Sequence, residues 1–523
     1  MKIIFIILTY FQKKSRKTEI IFGLVLKKCK KFGIFNMLKG YLCVYTMPDK
    51  KDRGILMFDY KVKIGLVAMR RNTTDRPRGT FLTWYSAEQR GKRFTEYIEK
   101  NFTNEHVEFV DNKGIGIEDL VFDDASGKQV VERFKNENVD AVMIINCNFG
   151  NEEVAADIAE ALGKPVLLWA PLDDEYYVDG MRPTDSQCGL FGVSRQMQRY
   201  HIPFSHLPCC RVESDEFKEG FESFIRVACM VKNFKGMRIG QVGARPAPFF
   251  SVIWNEGELM EKFGIRIIPI NFAIIEQRMK TAETDYADEI AEYEQYFLTN
   301  YELDDLTPKY IKPMATMTAM YKHLFEEFNL DVISAECWTA TPVMFDGLAP
   351  CALYGLLNEM GYMISCESDI HCAMTMALLK CATLGEGRPL FGEFTVRHPE
   401  NKNAELLWHC GPFPIAEMAE GTKARLVNQR AWLRGKDGEY TVARIDQEHG
   451  DYMILPLYCK TTEGPQTHGT YIWGEFEDLQ AVEDRLIDGP YIHHFVEMKG
   501  DYRKEIKEFC KYFPNLKVDE SVK

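Results

Sequence analysis

The 523-residue sequence lacks several motifs that mark common classes of enzyme. It has no G-x-S-x-G elbow of the kind that α/β-hydrolases carry. The turn GQVGARPAPFF, at 240–250, has neither G-x-G-x-x-G nor G-K-[ST], so a dinucleotide or ATP site is not expected there. A net charge of −13 excludes the whole chain as an electrostatic partner of DNA or RNA, and we expect no nucleic-acid partner.

Cysteine is present, but not in the spacing of a zinc or disulfide framework. The 15 cysteines are scattered without a repeated C-x-x-C pattern. In a chain of this length they indicate reduced, mostly buried thiols, and therefore a cytoplasmic protein. The hydrophobic content of 46% suffices for two to four domains with cores of their own.

The amino-terminal apolar run, IIFIILTYF, is too short to span a bilayer, and no small-residue cleavage site follows it. Residues 1–56 carry 13 Lys and Arg against 3 Asp and Glu. The segment is either a basic arm on a membrane surface or translated upstream sequence, with the true start at Met47 or Met57. We prefer the second interpretation and expect no membrane partner.

From residue 60 onward, short apolar runs alternate with helical patterns, as is typical of parallel sheets covered on both faces. VKIGLVAM, at 62–69, predicts the first strand, and the pattern restarts with MRIGQVGA at 237–244. After about residue 388, strand-like runs joined by turns predict a mostly antiparallel β domain. The predicted fold class is therefore two consecutive doubly wound α/β domains followed by a mostly antiparallel β domain. The predicted segments are a basic extension outside the fold (1–56), two α/β domains (57–215 and 216–387) and a β-rich domain (388–523).

The apolar run GYMISCE, at 361–367, ends in Glu367, and a second carboxylate, Asp369, follows two residues later. Glu367 and Asp369 can share one face, because residues two apart on a strand point the same way. They lie at the carboxyl end of a strand, where α/β sheets bind ligands. Asp369 could equally cap the helix that begins near Ile370. Glu367 has no such role, and a carboxylate at the end of an apolar strand is costly unless it is paired or bound to a metal.

Glu336 repeats this situation within the apolar run DVISAECW, at 331–338. One predicted helix, at 350–360, separates this strand from the next, so the two strands are neighbours or near neighbours in a parallel sheet. Carboxylates at both strand ends could share a divalent cation. Asp346, in the following loop, is an alternative, although most loop aspartates are turn residues.

The 11 histidines are few enough for their positions to matter. His493 and His494 occur together in PYIHHFVEM, where a strand would point one ring to each face and leave one as a ligand. His409, in LLWHCGPFP, is either a ligand or a core residue beside a tryptophan. His371 could face the site or the solvent. Arg245, in the turn at 240–250, could contact an anionic or polyol ligand, although a plain turn is our preferred interpretation.

The order of the three domains, together with CESDIHCAMTMALL, LLWHCGPFP and PYIHHFVEMKGD, resembles the superfamily of L-fucose isomerase and L-arabinose isomerase. The resemblance covers roughly 60–515 and fits a divergent L-fucose isomerase-like branch best. Members interconvert aldoses and ketoses with a divalent metal held by two carboxylates and one or two histidines. The resemblance implies a monosaccharide substrate, Mn²⁺ or Mg²⁺ as cofactor, and a homo-oligomer (trimer or hexamer) in which a neighbouring subunit can complete the sugar site.

The resemblance also implies roles for particular residues. Asp369 is similar to the acidic ligand and base of the fucose branch, and Glu367 to the glutamate of the E-G-D motif in the arabinose branch. His494 is similar to the C-terminal histidine ligand, and His409 to the additional histidine of the arabinose branch. Glu336 is the candidate for the first carboxylate, and we expect Glu336 and Asp369 to move the proton between C2 and C1. The candidate substrate-binding residues are Trp338, His493 and Arg245.

Two rival functions remain open on the sequence alone. Twin α/β domains are also a sugar-receptor architecture, which would fit a non-catalytic sugar-binding or regulatory protein. A metal-dependent epimerase or lyase acting on a related polyol would use the same ligands, so only its products would distinguish it. The set of glutamate, aspartate and histidine residues favours an enzyme over a receptor.

Overall fold

The first sheet is parallel and follows the apolar runs that the sequence predicts. The structure, a computed structural model, describes residues 58–72, 84–174, 182 and 184–522, so the predicted extension at 1–56 and both candidate starts lie outside this part. The strands are β1 Val62–Met69, β2 Val107–Val110, β3 Ala141–Asn146, β4 Val166–Trp169 and β5 Ser205–His206. They pair in the order β2–β1–β3–β4–β5. The helices of this region are α1 Trp84–Phe102, α2 Asp124–Asn136, α3 Glu152–Leu162 and α4 Ser186–Arg199.

The second sheet is also parallel. The next five strands along the chain are β6 Arg238–Val242, β7 Arg266–Ile270, β8 Glu302–Leu303, β9 Val332–Ala335 and β10 Ile364–Ser365. The sheet order is β10–β9–β6–β7, whereas β8 joins a third sheet. The helices are α5 Asp215–Phe234, α6 Glu256–Phe263, α7 Phe272–Asp285, α8 Ala287–Asn300, α9 Ile311–Phe328, α10 Ala340–Met344, α11 Cys351–Glu359 and α12 Ile370–Ala382. Short 3₁₀ helices occupy Phe250–Val252 and Pro308–Tyr310.

The third sheet closes into a mostly antiparallel barrel, which confirms the predicted fold class. Its strands are β11 Leu390–Arg397, β12 Ala404–His409, β13 Arg425–Val427, β14 Arg430–Arg434, β15 Glu439–Glu448, β16 Asp451–Thr461, β17 Thr470–Glu475, β18 His494–Lys499 and β19 Leu516–Val518. Pairing of β16 with β17 closes the order β16–β15–β18–β11–β12–β17. The remaining helices are α13 Leu479–Asp488, α14 Arg503–Cys510 and a 3₁₀ turn at Ile415–Glu417.

Helix α12 connects the second sheet to the barrel. All 13 of its residues are buried, as expected for a helix whose apolar residues are distributed over every side. It packs against β9 and β10 on one side and against β15 and β18 of the barrel on another. The end of β10 therefore meets barrel strands that carry histidines. Among the described helices, none is both long and apolar enough to cross a membrane.

Candidate active site

The chain leaves β10 through a turn that exposes part of one carboxylate and buries another. Glu367 and Ser368 have φ values of 63° and 59°, in the left-handed region that residues other than glycine seldom enter. The Ser368 amide donates to the Ala335 carbonyl at 3.1 Å and holds the turn against β9. The side chain of Glu367 keeps 17% of its surface exposed, against 1% for Asp369. Strained backbone of this kind is common where a functional group must be presented.

Asp369 caps helix α12 and also contacts the barrel. Its Oδ1 accepts a hydrogen bond from the Cys372 amide at 2.9 Å. Its Oδ2 accepts from Arg444 Nη1 at 2.8 Å and lies 3.1 Å from His494 Nδ1. Burial opposes the charged form, but Arg444 and His494 outweigh it and hold the pKa of Asp369 well below its usual range. The cap that the sequence left open is therefore present, alongside a contact with the predicted histidine ligand.

Arg444, on β15, is a site residue that sequence reasoning missed. Its side chain is fully buried, and Nε donates to Asp446 Oδ2 at 2.7 Å. Asp446 Oδ1 in turn lies 3.2 Å from His371 Nδ1. His371 therefore faces this buried charge network and not the solvent. No local pattern marks Arg444, because its partner Asp369 lies 75 residues away in the chain.

His494 is fully buried, and its two ring nitrogens have different surroundings. Nδ1 contacts Asp369, whereas Nε2 lies 3.2 Å from Glu367 Oε2 and 3.8 Å from Glu393 Oε2. Nε2 therefore forms an ion-pair contact with Glu367, but no hydrogen-bond partner is assigned to it in the part of the chain described. Burial lowers the pKa of His494, but Asp369 and Glu367 outweigh burial and raise this pKa to about 9.

The ligand atoms of Glu367, His409 and His494 lie within 4.8 Å of one another, close enough to hold one metal ion. His409 is 2% exposed, and its Nδ1 contacts Cys410 Sγ at 3.5 Å. Burial is the main cause that lowers the pKa of His409 to about 4, so its imidazole is neutral at neutral pH. Neutral imidazole is the form that binds metals. The structure thus brings together one carboxylate and both of the predicted histidine ligands.

Glu393, on β11, completes a second group with His493 and His494, whose ligand atoms also lie within 4.8 Å of one another. Glu393 is the register partner of His494 on the neighbouring strand. Burial, opposed by His494 and reinforced by Glu367, raises the pKa of Glu393 to about 7. The signal that could have found it is a lone carboxylate in the strand-like run LFGEFTV.

The expectation that His493 and His494 point to opposite faces is wrong. Strand β18 begins at His494, so strand alternation does not govern His493. The two ring centroids lie 4.6 Å apart. His493 Nε2 lies 3.5 Å from Glu393 Oε2, and the ring stacks on Phe249.

Glu336 does not join the cluster, although β9 and β10 pair in parallel as predicted. Its Oε1 accepts hydrogen bonds from the Trp338 amide and from Thr339, and its Oε2 accepts from the Thr341 amide at 3.0 Å. The physical reason is local: the chain turns into α10, and the amides of that turn require an acceptor. Asp346, the alternative, is a turn residue with a φ of 52° whose carbonyl accepts from Tyr310.

A cavity of about 260 Å³ opens beside Glu367. Its other lining residues are Cys337, Trp338, Pro342, Ala349, Cys351, Cys410 and Arg430. Trp338, a predicted substrate-binding residue, is 45% exposed here. Arg245 is not part of this lining. Its Nη1 donates to the carbonyls of Pro246 and Ala247, as expected for a residue that braces a turn.

Comparison with known proteins connects this geometry to a family. Residues 74–235 match the N-terminal domain of fucose/sulfoquinovose isomerase. A sulfoquinovose isomerase of Alkalicoccus urumqiensis is 27% identical over 393 residues, which cover 73% of this chain and 86% of the relative. A sulfoquinovose isomerase of Priestia aryabhattai is 25% identical, and the match covers 72% of this chain and 85% of the relative. A sulfoquinovose isomerase of Clostridium sp. (strain MSTE9) is 23% identical, and the match covers 70% of this chain and 83% of the relative. A solved galactofuranose-binding protein aligns with 62% of this chain at 13% identity, but its TM-score of 0.13 carries no argument.

The matches support a place for this chain in a divergent L-fucose isomerase-like branch. The relatives also support an aldose–ketose isomerase. The cluster of Glu367, His409 and His494 lies where the second sheet meets the barrel, at the carboxyl end of β10. That is the position in which α/β sheets bind ligands.

Proposed function

We propose that this isomerase converts a sulfonated aldose into the corresponding ketose, with a divalent cation held by Glu367, His409 and His494. The observation that supports the cation is His494 Nε2, a buried nitrogen without a hydrogen-bond partner among the described residues. A buried polar atom of this kind requires an explanation, and an ion is one. The set of one carboxylate and two imidazoles contains no thiolate, unlike most structural zinc sites, and we expect Mn²⁺ or Mg²⁺.

The chain's own residues prepare the site for such a cation. Asp369 accepts a hydrogen bond from Nδ1–H of His494 and thereby leaves Nε2 to coordinate the cation. Arg444 holds Asp369 in that position from the barrel side. When bound, the cation would act as a Lewis acid on the carbonyl of an open-chain aldose and stabilise the charge that develops on its oxygen.

Isomerisation also requires a group that removes the proton on C2 and delivers a proton to C1. We assign this role to Glu393, whose Oε2 lies 3.8 Å from His494 Nε2 and 3.5 Å from His493 Nε2. Glu393 accepts the C2 proton and then returns it to C1, while the hydroxyl proton on O2 is transferred to O1. The aldose and the ketose therefore contain the same atoms and electrons, and no external oxidant or reductant is needed. The two carboxylates predicted for this role have other partners. Asp369 pairs with Arg444, and Glu336 accepts hydrogen bonds from the turn before α10.

The sulfonated substrate is suggested by the relatives, which are described as sulfoquinovose isomerases and match this chain over more than four fifths of their own length. The cavity beside Glu367 is about 260 Å³, below the usual range for drug-sized ligands and appropriate for one monosaccharide.

The experiment is incubation of the chelator-treated protein with sulfoquinovose, with and without added Mn²⁺, followed by NMR of the sugar. We expect a ketose only when the cation is present, and a loss on the order of a hundredfold or more in Glu393→Gln. Glu405→Gln, which changes a buried glutamate on β12 outside the cluster, serves as the matched control. An epimer or a cleaved product would replace this proposal with the epimerase or lyase. Binding without any product would replace it with the sugar-binding protein.

A further inference from the structure

The cavity beside Glu367 contains a second charged residue, Arg430, that the proposed reaction does not use. Apart from Glu367 and Arg430, its walls are apolar, aromatic or thiol side chains. Arg430 is exposed, and within the described residues its guanidinium forms no ion pair or hydrogen bond. A guanidinium without a carboxylate partner, in the wall of a substrate-sized cavity, can bind an anionic group of the ligand.

The backbone places Arg430 firmly at this wall. It is the first residue of β14 and follows a two-residue hairpin turn formed by Asn428 and Gln429, with φ values of 47° and 69°. Both turn residues adopt the left-handed conformation that such hairpins require. The Asn428 amide donates to Asp304 Oδ2 at 2.8 Å, which ties the turn to the chain near β8.

Gln429 connects the same turn to the loop at 347–349, which contributes to the cavity wall. The residue is only 1% exposed. Oε1 accepts from the Ala349 amide at 2.8 Å, and Nε2 donates to the Gly347 carbonyl at 3.1 Å. Ala349 itself lines the cavity, so Arg430 and that wall are held in a fixed relation. Fixed geometry of this kind lowers the conformational entropy lost when a ligand binds.

We propose that Arg430 recognises an anionic substituent of the sugar, such as a sulfonate or a phosphate ester, while the reacting end of the sugar lies toward Glu367. An anionic group of the ligand would be attracted to Arg430, because Arg430 is the one cationic side chain in the described lining of the cavity. The inference rests on the proposed isomerase function. It adds the residue that selects a charged sugar over a neutral one.

The test compares Arg430→Met, which keeps length but removes charge, with wild type on three sugars. These are sulfoquinovose, the same aldose with a hydroxyl in place of the sulfonate, and its 6-phosphate. We expect wild type to prefer an anionic sugar. We expect Arg430→Met to lower kcat/KM for that sugar by about 10- to 100-fold, mainly through KM, and to change the neutral sugar by less than about twofold. Preference for the sulfonate over the phosphate, or the reverse, identifies the group.

Two further variants serve as controls. Arg430→Lys should restore part of the preference, because it restores the charge without the planar fork. Arg425→Met changes an exposed arginine on the other strand of the same hairpin, whose guanidinium lies over Trp432, and should change neither sugar. Equal losses on neutral and charged sugars in Arg430→Met, or no loss on either, would overturn the assignment.

A calorimetric measurement keeps the two proposals separate. If wild type converts none of the three sugars, the proposed reaction fails, and the binding of sulfoquinovose to wild type and to Arg430→Met still tests the arginine. We expect the affinity to fall by about 10- to 100-fold in the variant. Equal affinities would overturn the assignment. If wild type isomerises the neutral sugar best, aldose–ketose isomerisation is confirmed, but the proposed selection of an anionic sugar by Arg430 is wrong.

Discussion

At the scale of single residues, Asp369 combines a helix cap with a buried ion pair. The sequence alone predicts that Asp369→Asn costs at most about 1 kcal/mol, since asparagine is also a good cap. The structure changes that expectation, because Asp369 pairs with Arg444, whose side chain is fully buried. We expect Asp369→Asn to lower the free energy of unfolding by about 3 kcal/mol. This is the low end of the cost of breaking a buried ion pair, because Arg444 still pairs with Asp446 in the variant.

Urea denaturation of both the variant and a matched control measures this difference. Asp478 caps α13 through the Ala481 amide and lies at the protein surface, so Asp478→Asn should cost less than about 1 kcal/mol. Equal costs for the two variants would mean that the pair with Arg444 contributes nothing beyond the cap.

His494 leads to a prediction about protons. Burial lowers its pKa, but Asp369 and Glu367 raise it to about 9, so the imidazole of the cation-free protein carries a proton at pH 7.5. A cation must replace that proton, whereas His409, with a pKa lowered to about 4, has none to lose. We expect binding of Mn²⁺ at pH 7.5 to release about one proton per chain. Calorimetry in buffers of different ionisation enthalpy measures the release, and an apparent binding enthalpy independent of the buffer would contradict the prediction.

The same residues show what the sequence could and could not indicate. Glu367, His409 and His494 were predicted from carboxylates at strand ends and from the family resemblance, and the structure brings them together. Glu336 was expected in the cluster because its strand is adjacent, but its carboxylate satisfies the amides of the next turn. Arg444 was missed because a residue in a barrel strand acquires its role only from a partner far away in the chain.

At the scale of elements, the turn between β10 and α12 fixes the direction of Glu367. Ser368 has a positive φ, is fully buried, and its hydroxyl has no partner among the described residues. Ser368→Gly should therefore keep activity and change the free energy of unfolding by less than about 1 kcal/mol. Ser368→Val should lower it by about 1–3 kcal/mol, because a β-branched residue is strained at that φ. Thermal unfolding of the two variants checks this, and equal stabilities would show that the turn is not strained.

Element boundaries followed local pattern where the pattern was strong. Strand β1 spans the predicted 62–69. The acidic sequence at 281–300 predicts one long helix, but these residues lie in two helices, α7 and α8, which meet at Tyr286 with a φ of −132°. The ring of Tyr286 stacks on His323 at 3.8 Å, a tertiary contact that sequence periodicity does not report. The strand predicted at 361–367 is shortened to two residues, because the chain turns early to present Glu367.

At the scale of the whole molecule, the sequence indicated two α/β domains followed by a β domain. Apolar runs that alternate with helical patterns predict parallel sheets, whereas strand-like runs joined by turns predict an antiparallel domain. Closure of the barrel through β16 and β17 depends on a pairing that sequence pattern does not reveal. The homo-oligomer and the cytoplasmic location stay predictions.

The amino-terminal segment, residues 1–56, is expected to be dispensable for the fold. The described residues, from 58 onward, form one compact unit, and the family resemblance also begins near residue 60. We expect a chain that starts at Met57 to be as stable as the full chain and to form the same oligomer. Thermal unfolding and light scattering of the two proteins measure this. An insoluble or less stable shorter protein would show that residues 1–56 belong to the fold.

The central claim is that Glu367, His409 and His494 hold one divalent cation. The most direct measurement is titration of chelator-treated protein with Mn²⁺, followed by electron paramagnetic resonance of the free ion. We expect one tight site per chain, with affinity lowered more than about a hundredfold in Glu367→Gln and in His494→Gln, beyond the loss expected for an outer partner. Glu336→Gln, in folded protein, should keep the site. Loss of the site in Glu336→Gln together with full affinity in Glu367→Gln would contradict the account.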